Sequence, residues 1–368
     1  MNKRYFVGLL QPIMVALLLL GCRNEESKDL YPEVTIDYSK CMQKHWDELP
    51  DSLLGEKKYV MLDTTNAECD FGEMSKVMVR NNHIYILDAH LKKIVVYDMQ
   101  GRGISQVGNR GQGPEEYLDI SDFDVASDGS IYFIDGRLDK LFCFTSDFKF
   151  KSSTPLPFEA DILSIVDDGF LFGLSSWNKG VQEKSKIIHT DSSINVVDSY
   201  LEYDEYTDPS YWISLYSFIR SDDYISYNQP IDNHIYLFDA TGKLQECINF
   251  DFSDQNVPDE YKKDIERNLT SFDQYCMLKN FTVVTHRIIA GSFWKKRKTV
   301  PFVLDRLQNI CYSADPRENY DNSATAGYSD SFWITYFEPE VETQEVLPDS
   351  VQSYLNSGGF VLGLQSLF

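Results

Sequence analysis

The chain has 368 residues, 43% of them hydrophobic and 14% aromatic, which is enough apolar material for a large core. Its 57 acidic residues outnumber its 34 basic residues and give a formal net charge of −23. This sign repels the phosphates of nucleic acids and of anionic lipids, so composition excludes a nucleic-acid-binding protein.

Residues 1–21 have the organisation of a secretion signal and are left out of the fold. Lys3 and Arg4 give a positive start, and the mostly apolar stretch 5–20 is shorter than the ~20 uninterrupted residues of a membrane-spanning helix. The tetrapeptide Leu-Leu-Gly-Cys at 19–22 resembles the lipobox of bacterial lipoproteins. That resemblance implies cleavage after residue 21 and lipidation of Cys22. The alternative is an ordinary secretory signal followed by a chance cysteine.

Residues 22–56 are predicted to be the lipidated cysteine and a tether. Arg23 occupies the position at which an aspartate retains many Gram-negative lipoproteins at the inner membrane. Glu25 and Glu26 resemble the acidic export signal of Bacteroidetes lipoproteins, although a plain polar tether explains them as well. We therefore expect a lipid-anchored protein of the outer membrane, on its periplasmic or cell-surface side.

An internal repeat of about forty to fifty residues indicates the fold. Tyr85 aligns with Tyr132 and Tyr97 with Phe144, both at an offset of 47 residues. Each unit alternates apolar and polar residues with the period of two that is typical of strands. Six pairs of strand-like segments follow this pattern: 83–88 with 93–98, 130–135 with 140–145, 169–174 with 186–191, 223–227 with 234–239, 287–293 with 300–305, and 331–336 with 359–364.

These pairs predict an all-β protein, a six-bladed β-propeller over residues 57–368. The last unit lacks an outer strand, and the strand-like segment 57–63 has no unit of its own. We expect this N-terminal strand to complete the last blade, which closes the ring and protects its edges. Two helix-like insertions, 258–269 and 348–355, lengthen the later blades. The basic run Lys295 to Lys298 is expected to be a hairpin turn.

A glycine-rich stretch joins the first two units, with the sequence Gln-Val-Gly-Asn-Arg-Gly-Gln-Gly-Pro-Glu-Glu-Tyr at 106–117. It resembles the G-x-G-x-G-P-G-E-Y signature of the Bacteroidetes six-bladed β-propeller lipoproteins, and Leu-Asp-Thr-Thr at 62–65 resembles the start of that family. Glu115 departs from the pattern, which usually has glycine there. The resemblance implies an architecture related to NHL-repeat propellers and no general reaction.

We call residues 108–117 the signature loop. In a four-stranded blade, loops from an outer strand to the next inner strand share one face with loops from the second to the third strand. The signature loop therefore shares a face, the signature face, with loops 89–92, 136–139, 176–182, 229–233 and 294–298. Loops on a rigid scaffold often carry function. The candidate binding residues on this face are Arg110, Gln112, Glu116, Tyr117, Arg137, Trp177 and Trp294.

The signature loop also has a structural interpretation. Its three glycines allow a tight path, and Glu116 and Tyr117 could join blade one to blade two. The loop is a poor phosphate site, because it lacks the Lys-Ser/Thr pair of a P-loop and no helix follows it.

Other patterns for chemistry are weak in this sequence. Segment 122–129 imitates a calcium loop, but no glutamate closes it, and a blade turn fits better. The six cysteines after Cys22 lack C-x-x-C spacing, so buried free thiols are expected, although an even number in an exported chain also permits disulfides. We expect no metal and no cofactor. Inner-strand residues that could converge in the central channel are Lys76, Asp122, Asp124, Ser164, Ser217, Met277 and Ser329.

Two functions remain open. The first is a binding or interaction module of the cell envelope, held to the membrane through Cys22, with a glycan, a peptide or an envelope protein as its partner in nutrient uptake. The second is a hydrolase or lyase with its site in the channel. Carboxylates or histidines that converge on one position would favour chemistry, and an aromatic-rimmed face would favour binding.

Overall fold

The computed structural model describes residues 31–178, 180–182, 184–203, 216–229, 231–279, 281–318, 325–329, 332–339 and 346–368. Three N-terminal strands come first: β1 (Glu33–Asp37), β2 (Met42–His45) and β3 (Leu54–Leu62). The strands that follow belong to six sheets, each of which is one propeller blade. The predicted all-β six-bladed propeller is confirmed.

Blades one to three each have four antiparallel strands in chain order from the axis outward. Their bounds are β4 (Lys76–Arg80), β5 (His83–Asp88), β6 (Lys93–Asp98) and β7 (Gly103–Gln106); β8 (Asp122–Val125), β9 (Ile131–Asp135), β10 (Lys140–Phe144) and β11 (Phe150–Pro155); and β12 (Ala160–Val166), β13 (Gly169–Leu174), β14 (Ser185–Asp191) and β15 (Val196–Glu202).

Blades four to six depart from this plan because N-terminal strands join them. Blade four is β16 (Ile219–Arg220), β17 (Ile225–Asn228), β18 (His234–Phe238) and β19 (Leu244–Asp251). Blade five is β20 (Cys276–Leu278), β21 (Val283–Val284), β22 (Ile288–Lys295), β23 (Lys298–Asp305), β24 (Ile310–Ser313) and β25 (Arg317–Glu318). Blade six is β26 (Thr325–Ser329), β27 (Phe332–Phe337) and β28 (Phe360–Leu367).

Helices are short and lie between strands. The α-helices are α1 (Asp259–Lys262), α2 (Ile265–Asn268) and α3 (Asp349–Asn356), and the 3₁₀ turns are Tyr38–Lys40, Trp46–Glu48, Ala67–Cys69, Ser253–Gln255 and Leu269–Gln274. The insertion predicted at 258–269 is thus two single turns rather than one helix, with Asp264 capping the second. The insertion predicted at 348–355 is confirmed as α3. Within the described residues, no helix has the length and apolarity needed to cross a bilayer.

The core lies between neighbouring blades. Side chains alternate across a strand, so Ile84 and Ile86 of β5 pack toward blade six, whereas Tyr85 and Leu87 pack toward blade two. The same division repeats around the ring and gives six main apolar clusters, one at each junction. Each fully buried aliphatic side chain stabilises the fold by about 1.5–3 kcal/mol.

The ring closes as predicted. β3 pairs antiparallel with β28, with Leu62 opposite Phe360 and Lys58 opposite Leu364. The N-terminal strand therefore supplies the outer strand of blade six.

The folded domain begins earlier than predicted. We expected a tether up to residue 56, but one compact unit runs from Tyr31 to Phe368. β1 pairs in parallel with β19 of blade four, and β2 pairs in parallel with β24 of blade five. Residues 31–62, which we call the N-terminal strap, thus line the outer edges of blades four to six. These strands were not predicted because they are short and mostly exposed.

Three smaller predictions are confirmed. The basic run is a hairpin turn between β22 and β23, with Lys296 and Arg297 at positive φ. Asp128 and Gly129 form the turn between β8 and β9. All six cysteines after Cys22 are buried free thiols. Cys22 itself lies outside the described residues.

Candidate functional site

The contacts of the signature loop show which turns share its face. The loop connects β7 to β8, and Asp119, just beyond it, forms a 2.8 Å ion pair with Lys92 in the turn after β5. Asp135, at the end of β9, accepts a hydrogen bond of 2.7 Å from the backbone N–H of Leu118. The turns after β5 and β9 therefore lie on the signature face, as predicted.

Each glycine of the signature loop makes room for a side chain. Gly108 has φ of +64°, and a Cβ there would lie 2.6 Å from the Phe144 ring. A Cβ at Gly111 would overlap the Glu116 carboxylate, which also accepts a hydrogen bond of 2.7 Å from the N–H of Gly113. Glu116 is thus turned inward, where it holds the loop's own backbone.

Tyr117 is a packing residue at the junction of blades one and two. Its side chain is fully buried, and its ring meets Phe133 edge-on at 5.1 Å. Burial raises the pKa of Tyr117 to about 12, and its hydroxyl has no hydrogen-bond partner. The ring therefore offers no surface to a ligand. Among the candidates, Glu116 and Tyr117 take the structural role that the sequence left open.

Four candidates are exposed on the signature face. Arg110 donates from Nε to the carbonyl of Leu118 at 3.2 Å, while the side chain stays in solvent. Gln112 and Arg137 are exposed, and Trp177 keeps 46% of its surface accessible. A guanidinium tethered at Nε retains its terminal N–H groups for a ligand.

Trp294 is less available than predicted. It lies near the end of β22, half-buried, with Lys279 Nζ 5.7 Å from its ring centroid. Its indole N–H is buried without a hydrogen-bond partner. Lys279 in turn donates to Thr299 at 2.8 Å, and burial lowers the pKa of this lysine. Trp294 therefore supports the edge of blade five more than it presents a surface.

One cavity in the central channel is lined by described residues of the inner strands. Its volume is about 30 Å³, close to the share of one liquid water molecule. Four of the predicted contributors line it: Lys76, Asp124, Ser164 and Ser329. Ser217 is not among its lining residues. Met277 was predicted wrongly, because it lies on β20 and packs against the insertion that contains α2.

Asp122 lies in the wall of the channel and joins three blades. It accepts a hydrogen bond of 2.6 Å from Lys76 Nζ of blade one and one of 3.0 Å from Leu163 N–H of blade three. Burial raises the pKa of Asp122, and Lys76 opposes that shift. A buried charge whose partner is removed is strongly destabilising, so the main role of the Lys76–Asp122 pair is to stabilise the fold.

Asp124 and Arg220 make a second link across the channel. Asp124 accepts a hydrogen bond of 2.8 Å from the N–H of Ile165 and lies 3.9 Å from the guanidinium of Arg220. Sequence reasoning missed Arg220 and also Arg80. Each is the last residue of an inner strand, after a short apolar run. A basic residue at that position was the signal for a charged channel mouth.

Metal coordination finds no support in the described part of the chain, where no group of three or more His, Cys, Asp or Glu side chains could hold an ion. The site is thus a set of exposed side chains on fixed loops, together with a narrow channel whose polar groups bridge the blades.

Comparison with known proteins identifies the family of this chain. The model of the family described as "Domain of unknown function (DUF4934)" matches residues 33–356. The chain belongs to the DUF4934 family. The match begins within the N-terminal strap, so the strap is part of the family domain. No curated protein is similar enough in sequence to count as a match.

Solved structures agree on the architecture of this DUF4934 member. A Bacteroides fragilis protein that carries the name of an exported protein has a TM-score of 0.69 at 19% identity, covering 91% of this chain and 99% of its own. A DUF4221 member from Bacteroides vulgatus reaches 0.52 at 10% identity, covering 87% and 99%. A catalytically inactive virginiamycin B lyase from Staphylococcus aureus reaches 0.44 at 12% identity, covering 85% and 100%, which is too low to support any argument. These similarities establish the fold alone.

Proposed function

We propose that this DUF4934 protein is a lipid-anchored binding module of the cell envelope, which contacts a glycan or a peptide through the signature face. One observation carries the proposal. The signature loop is held from within by Glu116 and Tyr117, which leaves Arg110 and Gln112 exposed on a fixed backbone, and Trp177 is exposed in the separate loop 176–182. Preformed loops that present a guanidinium, an amide and an indole suit binding without a large ordering cost.

The four exposed candidates have complementary chemistry. Arg110 and Arg137 can donate to carboxylate or hydroxyl oxygens, and Gln112 can both donate and accept. Trp177 offers an aromatic surface on which the apolar side of a sugar ring or a peptide side chain can pack. The resembled lipoprotein family suggests nutrient uptake as the setting.

A channel hydrolase or lyase is the second candidate function. The observation in its favour is the buried Asp122 with its raised pKa, because perturbed carboxyl groups cluster at active sites. Against it, the cavity that the described inner strands leave has room for about one water molecule, and Asp122 is already paired with Lys76. The binding function therefore has the stronger support.

The proposed location at the membrane depends on lipidation of Cys22. An outer-membrane position and the relation to NHL-repeat propellers both remain parts of this proposal.

Lipidation is tested by Cys22→Ser. We expect the wild-type chain to partition into the detergent phase and its processing to be blocked by globomycin, because acyl chains make attachment effectively permanent. The variant should lose both properties. A Cys22→Ser protein that still behaves as a lipoprotein would contradict the anchor.

Binding is tested by Arg110→Ala combined with Trp177→Ala in the full chain. Glycan and peptide arrays should lose the signal of the wild type, while the thermal melt stays within about 0.5 kcal/mol of it because both side chains are exposed. Arg102→Ala with Leu307→Ala is the matched control, because these side chains are 75% and 76% exposed in other turns. Equal loss in both pairs, or a ligand signal unchanged in the first, would contradict the signature-face site.

A further inference from the structure

Lys279 of blade five holds an ammonium group that no acidic side chain neutralises. The residue directly follows β20, and its side chain is half-buried. Burial lowers the pKa of Lys279, and no charged group among the described residues counters that shift. An ammonium group taken out of water without a counter-charge costs free energy, which the rest of the fold has to offset.

Lys76 shows how the same chain treats another buried ammonium group. Its Nζ donates to the Asp122 carboxylate at 2.6 Å, so an opposite charge meets it in the wall of the channel. Lys279 has a hydroxyl and a ring instead. Its Nζ donates to Thr299 Oγ1 at 2.8 Å and lies 5.7 Å from the centroid of the Trp294 ring. Neither group is an anion, so the charge of Lys279 is not neutralised within the described part of the chain.

Strand pairing brings Lys279, Trp294 and Thr299 together, and we call these three residues the lysine cluster. Trp294 and Thr299 lie opposite each other in the pairing of β22 with β23. The backbone N–H of Lys279 donates to the carbonyl of Ser292 at 2.9 Å, which holds the lysine against the strand that carries Trp294. Because paired strands hold it, the lysine cluster is preformed, and a ligand would pay little to order it.

The lysine cluster is rich in hydrogen-bond donors. An ammonium group has three N–H donors, and the bond to Thr299 uses one of them. The indole N–H of Trp294 is buried and has no hydrogen-bond partner. Donors beside a charge without a counter-charge are suited to an ionised carboxylate, whose oxygens accept hydrogen bonds and carry the opposite charge.

The lysine cluster lies at the signature face. The hairpin between β22 and β23 is the turn from the second to the third strand of blade five, the same kind of turn as those after β5 and β9. Lys295 and Lys296 of this hairpin add positive charge. Burial raises the pKa of Cys276 on the neighbouring strand, and the charges of Lys295 and Lys296 oppose that rise, so the positive field of the hairpin reaches into blade five.

We propose that Lys279 binds the carboxylate of a small ligand with a single negative charge, and that Trp294 and Thr299 position its ammonium group. The chain has a net charge of −23, which repels polyanions at long range, so a single carboxylate suits this site better than a sulfated polymer does. Acidic sugars and peptide C-termini both supply such a carboxylate. The site does not depend on the proposed binding at Arg110 and Trp177.

The experiment is a ligand-observed NMR titration of the detergent-solubilised full chain with two carboxylates, D-glucuronate and N-acetylalanine. Each is compared with a neutral counterpart, D-glucose or N-acetylalanine amide. We expect at least one carboxylate to bind and its neutral counterpart to bind about tenfold more weakly or less, the typical effect of losing a charge-assisted hydrogen bond. Binding of glucuronate would identify an acidic sugar as the source of the carboxylate, and binding of N-acetylalanine a peptide C-terminus.

Lys279→Met should weaken the carboxylate about tenfold or more and leave its neutral counterpart unchanged. Because this variant removes a charge that has no counter-charge, its melting temperature should stay unchanged or rise. Lys76→Met should instead lower the melting temperature, because it leaves Asp122 buried without its partner. Lys279→Arg keeps a positive charge with N–H donors and should keep part of the binding.

Lys243→Met is the matched control, because it removes the same charge from an exposed side chain in the turn between β18 and β19. It should bind both carboxylates like the wild type. The proposal is overturned if neither carboxylate binds, if charged and neutral forms bind equally, or if Lys279→Met binds like the wild type. Preferred binding of inorganic sulfate would overturn the assignment to a carboxylate.

The signature-face variant Arg110→Ala with Trp177→Ala separates this site from the proposed function. It should leave the titration with the carboxylates unchanged, whether or not the array signal of the wild type is lost. If that variant loses the carboxylate and Lys279→Met keeps it, the carboxylate binds at the other site and the assignment to Lys279 is overturned.

Discussion

The junction of blades one and two and the outer edges of blades four to six are stabilised in opposite ways. At the first, the signature loop places Tyr117 in the core within a stretch of ten residues. At the second, the N-terminal strap adds β1 and β2 to sheets whose strands follow some two hundred residues later, as in the pairing of Val34 with Ile248. One device is local in sequence and the other is not. The local device leaves a readable motif, whereas the long-range addition of the short strands β1 and β2 does not.

The largest expected effect comes from removing the closure of the ring. Deletion of residues 57–64 removes most of β3, and the edge of β28 then loses its pairing partners along Phe360 to Gln365. An unpaired apolar edge promotes association between chains, so we expect aggregation in size-exclusion chromatography. A soluble truncation with an unchanged melting transition would show that the ring closes by other means.

The signature loop should be most sensitive at its buried residue. Tyr117→Ala removes a fully buried ring packed on Phe133 and should lower the free energy of unfolding by about 3 kcal/mol, as buried aromatic truncations do. Thermal or denaturant melts measure this loss. Arg110→Ala, beside it but exposed, should change stability by no more than about 0.5 kcal/mol.

A second variant separates packing from the hydroxyl. Because the Tyr117 hydroxyl is buried without a partner, Tyr117→Phe should leave stability unchanged or raise it by about 1 kcal/mol. A melt of Tyr117→Ala indistinguishable from that of the wild type would contradict the structural role and favour a binding role for the whole signature loop.

Single substitutions in the N-terminal strap should lower stability less than Tyr117→Ala does. Tyr38 is half-buried and packs on Phe252 at 5.3 Å and on Phe293 at 5.4 Å. Tyr38→Ala should therefore cost about 2 kcal/mol, less than the loss of a fully buried ring. Met42→Ala is the control on the same segment, because Met42 is 59% exposed and should change little. If both variants melt like the wild type, the strap adds little to stability.

These differences explain what the sequence could predict. The alternation of β5 and β6, the pairing of β3 with β28, and the helix α3 followed from periodicity and from an unmatched strand. The strap was missed because β1 and β2 are four or five residues long, mostly exposed, and carry no repeat. A tether and a short edge strand have the same composition, and pairing over two hundred residues leaves no local pattern.

The candidate site was less predictable than the fold. The shared face of the loops followed from blade topology, and the exposure of Arg110 and Trp177 agrees with the expectation of surface loops. The inward orientation of the Glu116 side chain could not be predicted, because a carboxylate in a glycine-rich loop can point inward or into solvent. Arg80 and Arg220 line the same cavity near the axis only because blades one and four lie across the ring, a relation that spacing along the chain does not reveal.

The smallest expected effect is a pH dependence where the strap meets blade four. His234 Nδ1 lies 2.6 Å from Asp232 Oδ1, and this hydrogen bond raises the pKa of His234 above its ordinary value of 6.5, with a further contribution from Glu33 of the strap. Burial and Lys262 act in the opposite direction. Because the folded-state pKa is raised, the stabilisation is fully present below 6.5 and is lost as pH rises through the raised value.

We therefore expect the wild type to melt at a lower temperature at about pH 8 than at about pH 6, through the loss of charge on His234. Asp232 contributes in a different window, since its pKa is lowered and its stabilisation is lost only in acid. His234→Gln should flatten the change between the two pH values and also weaken the acid limb, because the hydrogen bond and the charge of His234 are the largest causes that lower the pKa of Asp232. Glu33→Gln should reduce it only in part, because Asp232 is the larger cause. An identical slope in wild type and His234→Gln would mean that the charge of this histidine does not contribute to stability where the strap meets blade four.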